Sequence, residues 1–251
     1  MPASALLLAA SAAVRAASLN LCSDEYLLLL ARPDEIASVS FLSRDPLESS
    51  LWKSARRHDA NRGSIEQVVG QRPSLVLTMG GGGRSSAMIA GRLGIRTLEL
   101  SSANSPDDVA RNLAVVAGAI GHPARAVPLV RRLRDLQRSA PHQPADAIWL
   151  SGNGLSLASD SAGAKWLALA GLRQRALPGA KADLETLLVR PPAVIVESNY
   201  RRGQVSEATT WLSHPIVKRA RSRRLKTDGR AWTCTGPLMI DEIARLKAAA
   251  R

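Results

Sequence analysis

SIEQVVGQRPSLVLT (residues 64–78) and DLETLLVRPPAVIVE (residues 183–197) align without gaps, and the way each reads decides the fold. Glu66 matches Glu185 and Pro73 matches Pro192. Ile65/Leu184, Val68/Leu187, Val69/Leu188, Leu75/Val194, Val76/Ile195 and Leu77/Val196 keep aliphatic character. Ile65, Val68 and Val69 stand at i, i+3 and i+4, which gathers them on one face of a short helix. Ser64, with Gln67 three residues on, predicts a capping box, and Asp183 predicts the cap of the second copy. A proline then ends each helix, because the residue before it is driven toward extended backbone. The LVL and VIV runs that follow are apolar at every position, as in a parallel strand covered on both faces. Each copy therefore reads as helix, stop and buried strand, and the duplication predicts two similar lobes.

The flanking sequence follows the same grammar. SLNL (18–21) and AIWL (147–150) each read as a strand followed by a small polar turn and a helix, and GRLGIRTLEL (91–100) reads as a helix end, Gly94 and a strand. Pro106 to Ile120 is periodic and predicts a helix ending at Gly121. Pro123 to Ser139 predicts a second, strongly basic helix, which Pro128 should kink or delay. The expected fold class is α/β: two Rossmann-like lobes with mostly parallel sheets, joined by a bridging backbone helix, with a ligand cleft between them. The predicted division is 17–121 for the N-terminal lobe, 122–141 for the bridge and 142–251 for the C-terminal lobe.

At 251 residues, 45% hydrophobic and 22% charged, the chain has the composition of a globular protein that can bury a real core. Its net charge of +13 comes mainly from Arg, which outnumbers Lys 28 to 6. Such a charge bears on partners rather than fold and favours anionic ones. Aromatics are only 3% of the chain, which argues against base-stacking nucleic-acid modules. The basic run KRARSRRLK (218–226) is therefore read as a solvated helix end, and no nucleic-acid partner is expected. The apolar stretch Ala5 to Val14, followed by Val14-Arg15-Ala16, reads as a signal-peptide core and cleavage site, so residues 1–16 are expected to direct export to the periplasm. The basic flank that normally precedes such a core is missing. Cys22 and Cys234 are too few for a disulfide scaffold or a four-cysteine zinc site; they suffice for one bridge in an oxidising compartment, and the sequence leaves open whether it forms.

In open α/β sheets, ligands bind beyond the carboxyl ends of the strands. That rule points to Ser23 after the first strand, Gly82 and Arg84 in GGGGR (80–84), Asn153 in the second lobe, and Tyr200, Arg201 and Arg202 after VIVES. The glycines allow close backbone approach, and the three Arg would give the cleft a positive lining. Trp232, in a turn-like stretch, is expected to flank a planar or macrocyclic ligand, whereas Trp166 is read as core. Four His and two Tyr are too few for a bare-metal site or for ferric coordination by several phenolates, so no protein-held metal or cofactor is expected. The alternative from another class is an α/β enzyme acting on an anionic small molecule. It lacks support from any GxSxG, HExxH or GxGxxG pattern.

Taken in order, SLNLCSDEY, NRGSIEQVVGQRPSLVL, LGIRTLEL, WLALAGL (166–172), DLETLLVRPPAVIVES and WTCTGPL (232–238) resemble the helical-backbone family of ABC-importer substrate-binding proteins, which includes ferric-siderophore, haem and cobalamin binders. The likeness covers roughly residues 17–247. It implies a non-enzymatic periplasmic monomer that captures a chelated metal and delivers it to a membrane permease driven by ATPase subunits. It also implies that Glu66 and Glu185, one per lobe, dock onto Arg residues of that permease. A first-turn Glu is favoured at a helix N-terminus in any case, so the pairing across both copies is what carries the assignment.

Overall fold

The computed structural model describes residues 14–80, 84–200 and 211–250. Its first sheet comprises β1 (Ala16–Ser18), β2 (Ile36–Ser40), β3 (Asp59–Asn61), β4 (Leu75–Met79) and β5 (Arg96–Leu100), in the order β3-β2-β1-β4-β5. The second comprises β6 (Ala145–Leu150), β7 (Leu172–Gln174), β8 (Val194–Ser198) and β9 (Arg223–Thr227), in the order β7-β6-β8-β9. Every pairing in both sheets is parallel. The helices are α1 (Leu21–Leu30), α2 (Trp52–Ala55), α3 (Ile65–Val68), α4 (Arg84–Arg92), α5 (Pro106–Ala119), α6 (Pro123–Arg138), α7 (Ala162–Leu169), α8 (Leu184–Val189), α9 (Pro215–Arg219), α10 (Gly229–Cys234) and α11 (Met239–Ala250).

The two copies of the repeat occupy equivalent places. In β4, Leu75 and Leu77 join the large core shared with α1, α5 and α11, as Val194 and Val196 do in β8. The intervening Val76 faces the other way, onto Ile65 and Val68 of α3, while Ile195 faces Leu187 of α8 and Val217 of α9. Alternate residues of a strand point to opposite faces, so an unbroken aliphatic run is required when helices cover both. Each such side chain contributes about 1.5–3 kcal/mol on burial.

Between the sheets, α5 packs on α6, and the pair carries the chain from one lobe to the other. His122, at the start of α6, meets Glu35 across 2.6 Å. Burial pushes the Glu35 carboxyl up, but hydrogen bonds from the Arg32 backbone and His122 outweigh it and hold the group below its ordinary range. At the far end, Lys247 of α11 donates to the Ser139 hydroxyl at 2.6 Å.

Three local expectations change. The first strand ends at Ser18, because Asn20 leaves extended pairing to cap α1, accepting from the Ser23 amide at 3.0 Å. Helix α6 runs unbroken through Pro128, whose missing N–H costs one bond on an exposed side of the helix. Ser64 does not cap α3: its hydroxyl serves the Glu66 carboxylate, and Gln67 Oε1 accepts from the Arg62 amide at 2.5 Å. Asp183 does cap α8, accepting from the Thr186 amide at 2.6 Å.

Candidate functional site

The carboxyl ends of both sheets open onto one interlobe cleft. The turn after β2 of the first lobe meets the turns after β8 and β9 of the second there, with Pro46 and Leu47 facing Asn199, Thr227 and Asp228. Gly63, beyond β3, shows how tightly this edge is drawn, since with φ of 90° it would place a Cβ 2.9 Å from the Leu19 carbonyl oxygen.

Side chains cross between the lobes at several points. Tyr200 donates its hydroxyl to Glu48 at 2.6 Å. Arg230 donates to the Pro46 carbonyl at 2.9 Å while its Nε and Nη2 hold Asp228 at 2.9 and 2.6 Å. Burial pushes the Asp228 carboxyl up, but the Arg230 hydrogen bonds and charge win and hold it below its ordinary range. Lys165 donates to the Asn104 carbonyl at 3.0 Å, and Thr235 to that of Ala103 at 3.3 Å. A disulfide joins Cys22 of α1 to Cys234 of α10, with Cα atoms 5.2 Å apart.

Pro46 lines two recesses in this region. One, of about 440 Å³, is lined by Leu47, Asn199, Thr227, Asp228 and Arg230. The other, of about 490 Å³, is lined by Phe41, Arg44, Asp45 and Arg56. Phe41 is 52% exposed although it is the chain's one phenylalanine. Arg56 stacks over Trp52 at 4.6 Å and donates to the Arg44 carbonyl, which fixes an aromatic and cationic wall beside it. Sequence reasoning missed this wall, though the run FLSR directly after a strand was a usable signal.

Of the residues singled out from sequence, Tyr200 lies at the lobe junction and Asn153 is exposed on the turn after β6, in left-handed backbone with φ of 57°. Arg84 is the first residue of α4. Gly82, Arg201, Arg202 and residues 1–13 lie outside the described residues. Ser23 does not face the cleft: it is fully buried, and its hydroxyl is 2.7 Å from that of Ser18 and 2.9 Å from Asn20 Oδ1. Trp232 is also turned inward. It is 8% exposed, packs against Trp149 with ring centroids 5.5 Å apart and donates to Thr227 at 2.6 Å, because the apolar face of α10 docks onto the core. Trp166 is wholly buried, as its apolar surroundings predict. Glu66 and Glu185 are exposed in the first turns of α3 and α8. The basic run 218–226 forms the end of α9 and most of β9 rather than a free helix end; Arg224 pairs with Glu197 at 2.6 Å and Arg223 donates to the Ala250 carbonyl at 2.8 Å.

Among the described residues, no cluster of three His, Cys, Asp or Glu is arranged to hold a metal ion, and no helix is long and apolar enough to cross a membrane.

The family model described as "Periplasmic binding protein" matches residues 17–199. A search of curated protein sequences returns no match. Solved structures do match over nearly the whole chain. A periplasmic heme binding protein from Pseudomonas aeruginosa aligns at 20% identity and TM-score 0.67, over 94% of this chain and 91% of that one. The periplasmic heme binding protein HutB of Vibrio cholerae aligns at 16% identity and TM-score 0.71, over 94% and 98%. The periplasmic vitamin B12 binding protein BtuF of Vibrio cholerae aligns at 18% identity and TM-score 0.64, over 93% and 95%. At these identities the structural matches speak for a common two-lobed fold.

Proposed function

The chain belongs to the periplasmic binding protein family, a family of substrate-binding proteins rather than enzymes, and from that premise we propose that it is the cargo-capturing component of an ABC importer for a chelated metal. It works in the periplasm, with residues 1–16 as its export signal, 17–121 and 142–251 as the lobes, and 122–141 as the bridge. The cargo is a ferric siderophore, haem or a corrinoid such as vitamin B12. The observation that carries this reading is the cleft wall, where exposed Phe41 lines one recess with Arg44, Asp45 and Arg56. An aromatic face offers stacking area to a flat or macrocyclic ligand, and clustered Arg draws in its acidic groups. Arg84, Arg201, Arg202, Gly82, Asn153 and Tyr200 complete the binding region in this proposal. Glu66 and Glu185 meet Arg residues of the permease, to which the ATPase subunits are attached.

Mass spectrometry of ligand retained on protein purified from its native host tests the class directly. Titration with haemin, cobalamin and ferric siderophores, followed by visible absorbance and tryptophan emission, should find one that binds at micromolar concentration or tighter. If none does while a free amino acid or sugar binds, the chelate assignment fails.

A further inference from the structure

The basic run 218–226 and the second copy of the repeat meet at a surface away from the cargo cleft. Helices α8 and α9 lead into β8 at Val194 and β9 at Arg223, so their C-terminal ends lie at the amino edge of the second sheet, opposite the edge that opens onto the cleft. Between those ends is a groove of about 520 Å³, lined mainly by Leu188, Val189, Pro215, Ile216, Arg219 and Arg221, with no carboxylate in its lining. Leu188 and Val189 are 65% and 68% exposed, more than any other large apolar side chain among the described residues. The lobe does not need them outside: Leu187 and Val217, both wholly buried, already seat α8 and α9 on Ile195. In the first copy the matching positions are Val69, which packs against its own core, and Gly70. Arg190 and Lys218 adjoin the groove in sequence and, like Arg219 and Arg221, are exposed. Among the described residues, no carboxylate pairs with any of these four cations. Other members of the basic run are engaged within the lobe, Arg224 with Glu197 and Arg223 with the Ala250 carbonyl.

We propose that this face docks onto a bilayer surface containing anionic phospholipid. Exposed apolar side chains gathered in one place mark an interaction site. Lys and Arg clustered beside them are the combination that binds an anionic lipid surface: the cations meet headgroup phosphates, and the aliphatic groups enter the boundary of the acyl layer. An acidic protein segment would meet the same charges, but a protein partner is selected by side chains held in place before binding. No carboxylate neighbour holds the cations of this groove, and a fluid headgroup layer makes no such demand. Glu185 stands in the first turn of α8, at the opposite end of the helix from Leu188 and Val189, so lipid contact and permease docking use different surfaces. With the amino edge of the sheet on the bilayer, the cleft edge faces the aqueous side and stays open to cargo. A carrier held in this way searches for its permease in the plane of the membrane. The surface serves whichever cargo the cleft holds.

Co-sedimentation of protein purified from the periplasm with lipid vesicles tests this. The parent should pellet with vesicles of phosphatidylglycerol and phosphatidylcholine in equal parts and stay in solution with phosphatidylcholine alone. Raising salt from about 50 to about 300 mM should weaken binding without abolishing it, because salt screens the cations and not the apolar contact. Arg219→Ala combined with Arg221→Ala should weaken binding to the mixed vesicles roughly tenfold or more at low salt. Leu188→Ser combined with Val189→Ser should remove the binding that survives at high salt. No binding, equal binding to both vesicles, or binding that neither pair of substitutions changes overturns the proposal. Retention on immobilised polyglutamate without vesicle binding assigns the face to an acidic protein partner and overturns it equally. All four substituted residues are exposed, so the variants should keep the parent's urea midpoint. Should one fail to fold, the parent's choice between the two vesicles still decides. Glu66→Gln combined with Glu185→Gln should bind the mixed vesicles as the parent does, and loss of binding there would overturn the separation of this face from permease docking.

Discussion

Asp24 is fully buried beneath the turn after β2, where its carboxylate accepts the Ser40 amide at 3.1 Å and the hydroxyls of Ser40 and Ser43. Burial raises its pKa from 3.8 to about 6, despite these hydrogen bonds. A carboxyl whose folded pKa lies above its unfolded one binds more protons in the native state across that window. Its contribution is therefore fully present at the acid end and is lost as pH rises through about 6. The loss is of the order of 3 kcal/mol, at about 1.4 kcal/mol per pKa unit. Urea titrations from pH 4 to 7 should show stability falling along this slope in the parent, and Asp24→Asn should flatten it. Tyr200→Phe is the complementary test at the lobe junction. It removes the hydroxyl that donates to buried Glu48 and should cost about 1–2 kcal/mol, read as a lower urea midpoint.

The matched helices α3 and α8 differ in how they begin. Asp183 caps α8 through the Thr186 amide, whereas Ser64 turns its hydroxyl to Glu66 and leaves the α3 amides uncapped by its side chain. Asp183→Ala should therefore lower the urea midpoint more than Ser64→Ala, reversing what the capping-box pattern alone would predict. The capping-box pattern was legible in the sequence, but the Gln67 side chain was claimed by Arg62. That competition is set by the chain's path through the loop before α3, which residue spacing does not encode. Helix boundaries elsewhere were readable because Pro106, Pro123, Gly94 and Gly121 act on their own immediate backbone.

At the scale of the whole molecule, the disulfide closes a span of 212 residues, and loop-entropy reasoning assigns such a bond about 5 kcal/mol. Replacing both cysteines by Ser should lower the thermal midpoint, measured by calorimetry in the absence of reductant. Docking is tested at the same scale. Glu66→Gln combined with Glu185→Gln should abolish uptake of the cargo in cells while leaving its affinity for the purified protein unchanged, because both carboxylates are exposed and neither lines the recess at Phe41. Loss of affinity in that double variant would remove the two Glu from the docking role.

The sequence by itself determined the α/β class, the duplication and the buried strands β4 and β8, because helix periodicity, a proline stop and an unbroken aliphatic run are all local signals. It also singled out the carboxyl edge of the sheets, where the two lobes meet. Only the tertiary structure decided which side chains face that edge. Ser23 and Trp232 follow strands in sequence, yet the first is consumed in capping α1 and the second in the core against Trp149. The Cys22–Cys234 bridge, the Tyr200–Glu48 contact and the Arg230 bond to Pro46 join residues 212, 152 and 184 positions apart. No local pattern carries such pairings, because they arise only when the two lobes are set against each other and each polar group exchanges water for whatever partner the other lobe presents.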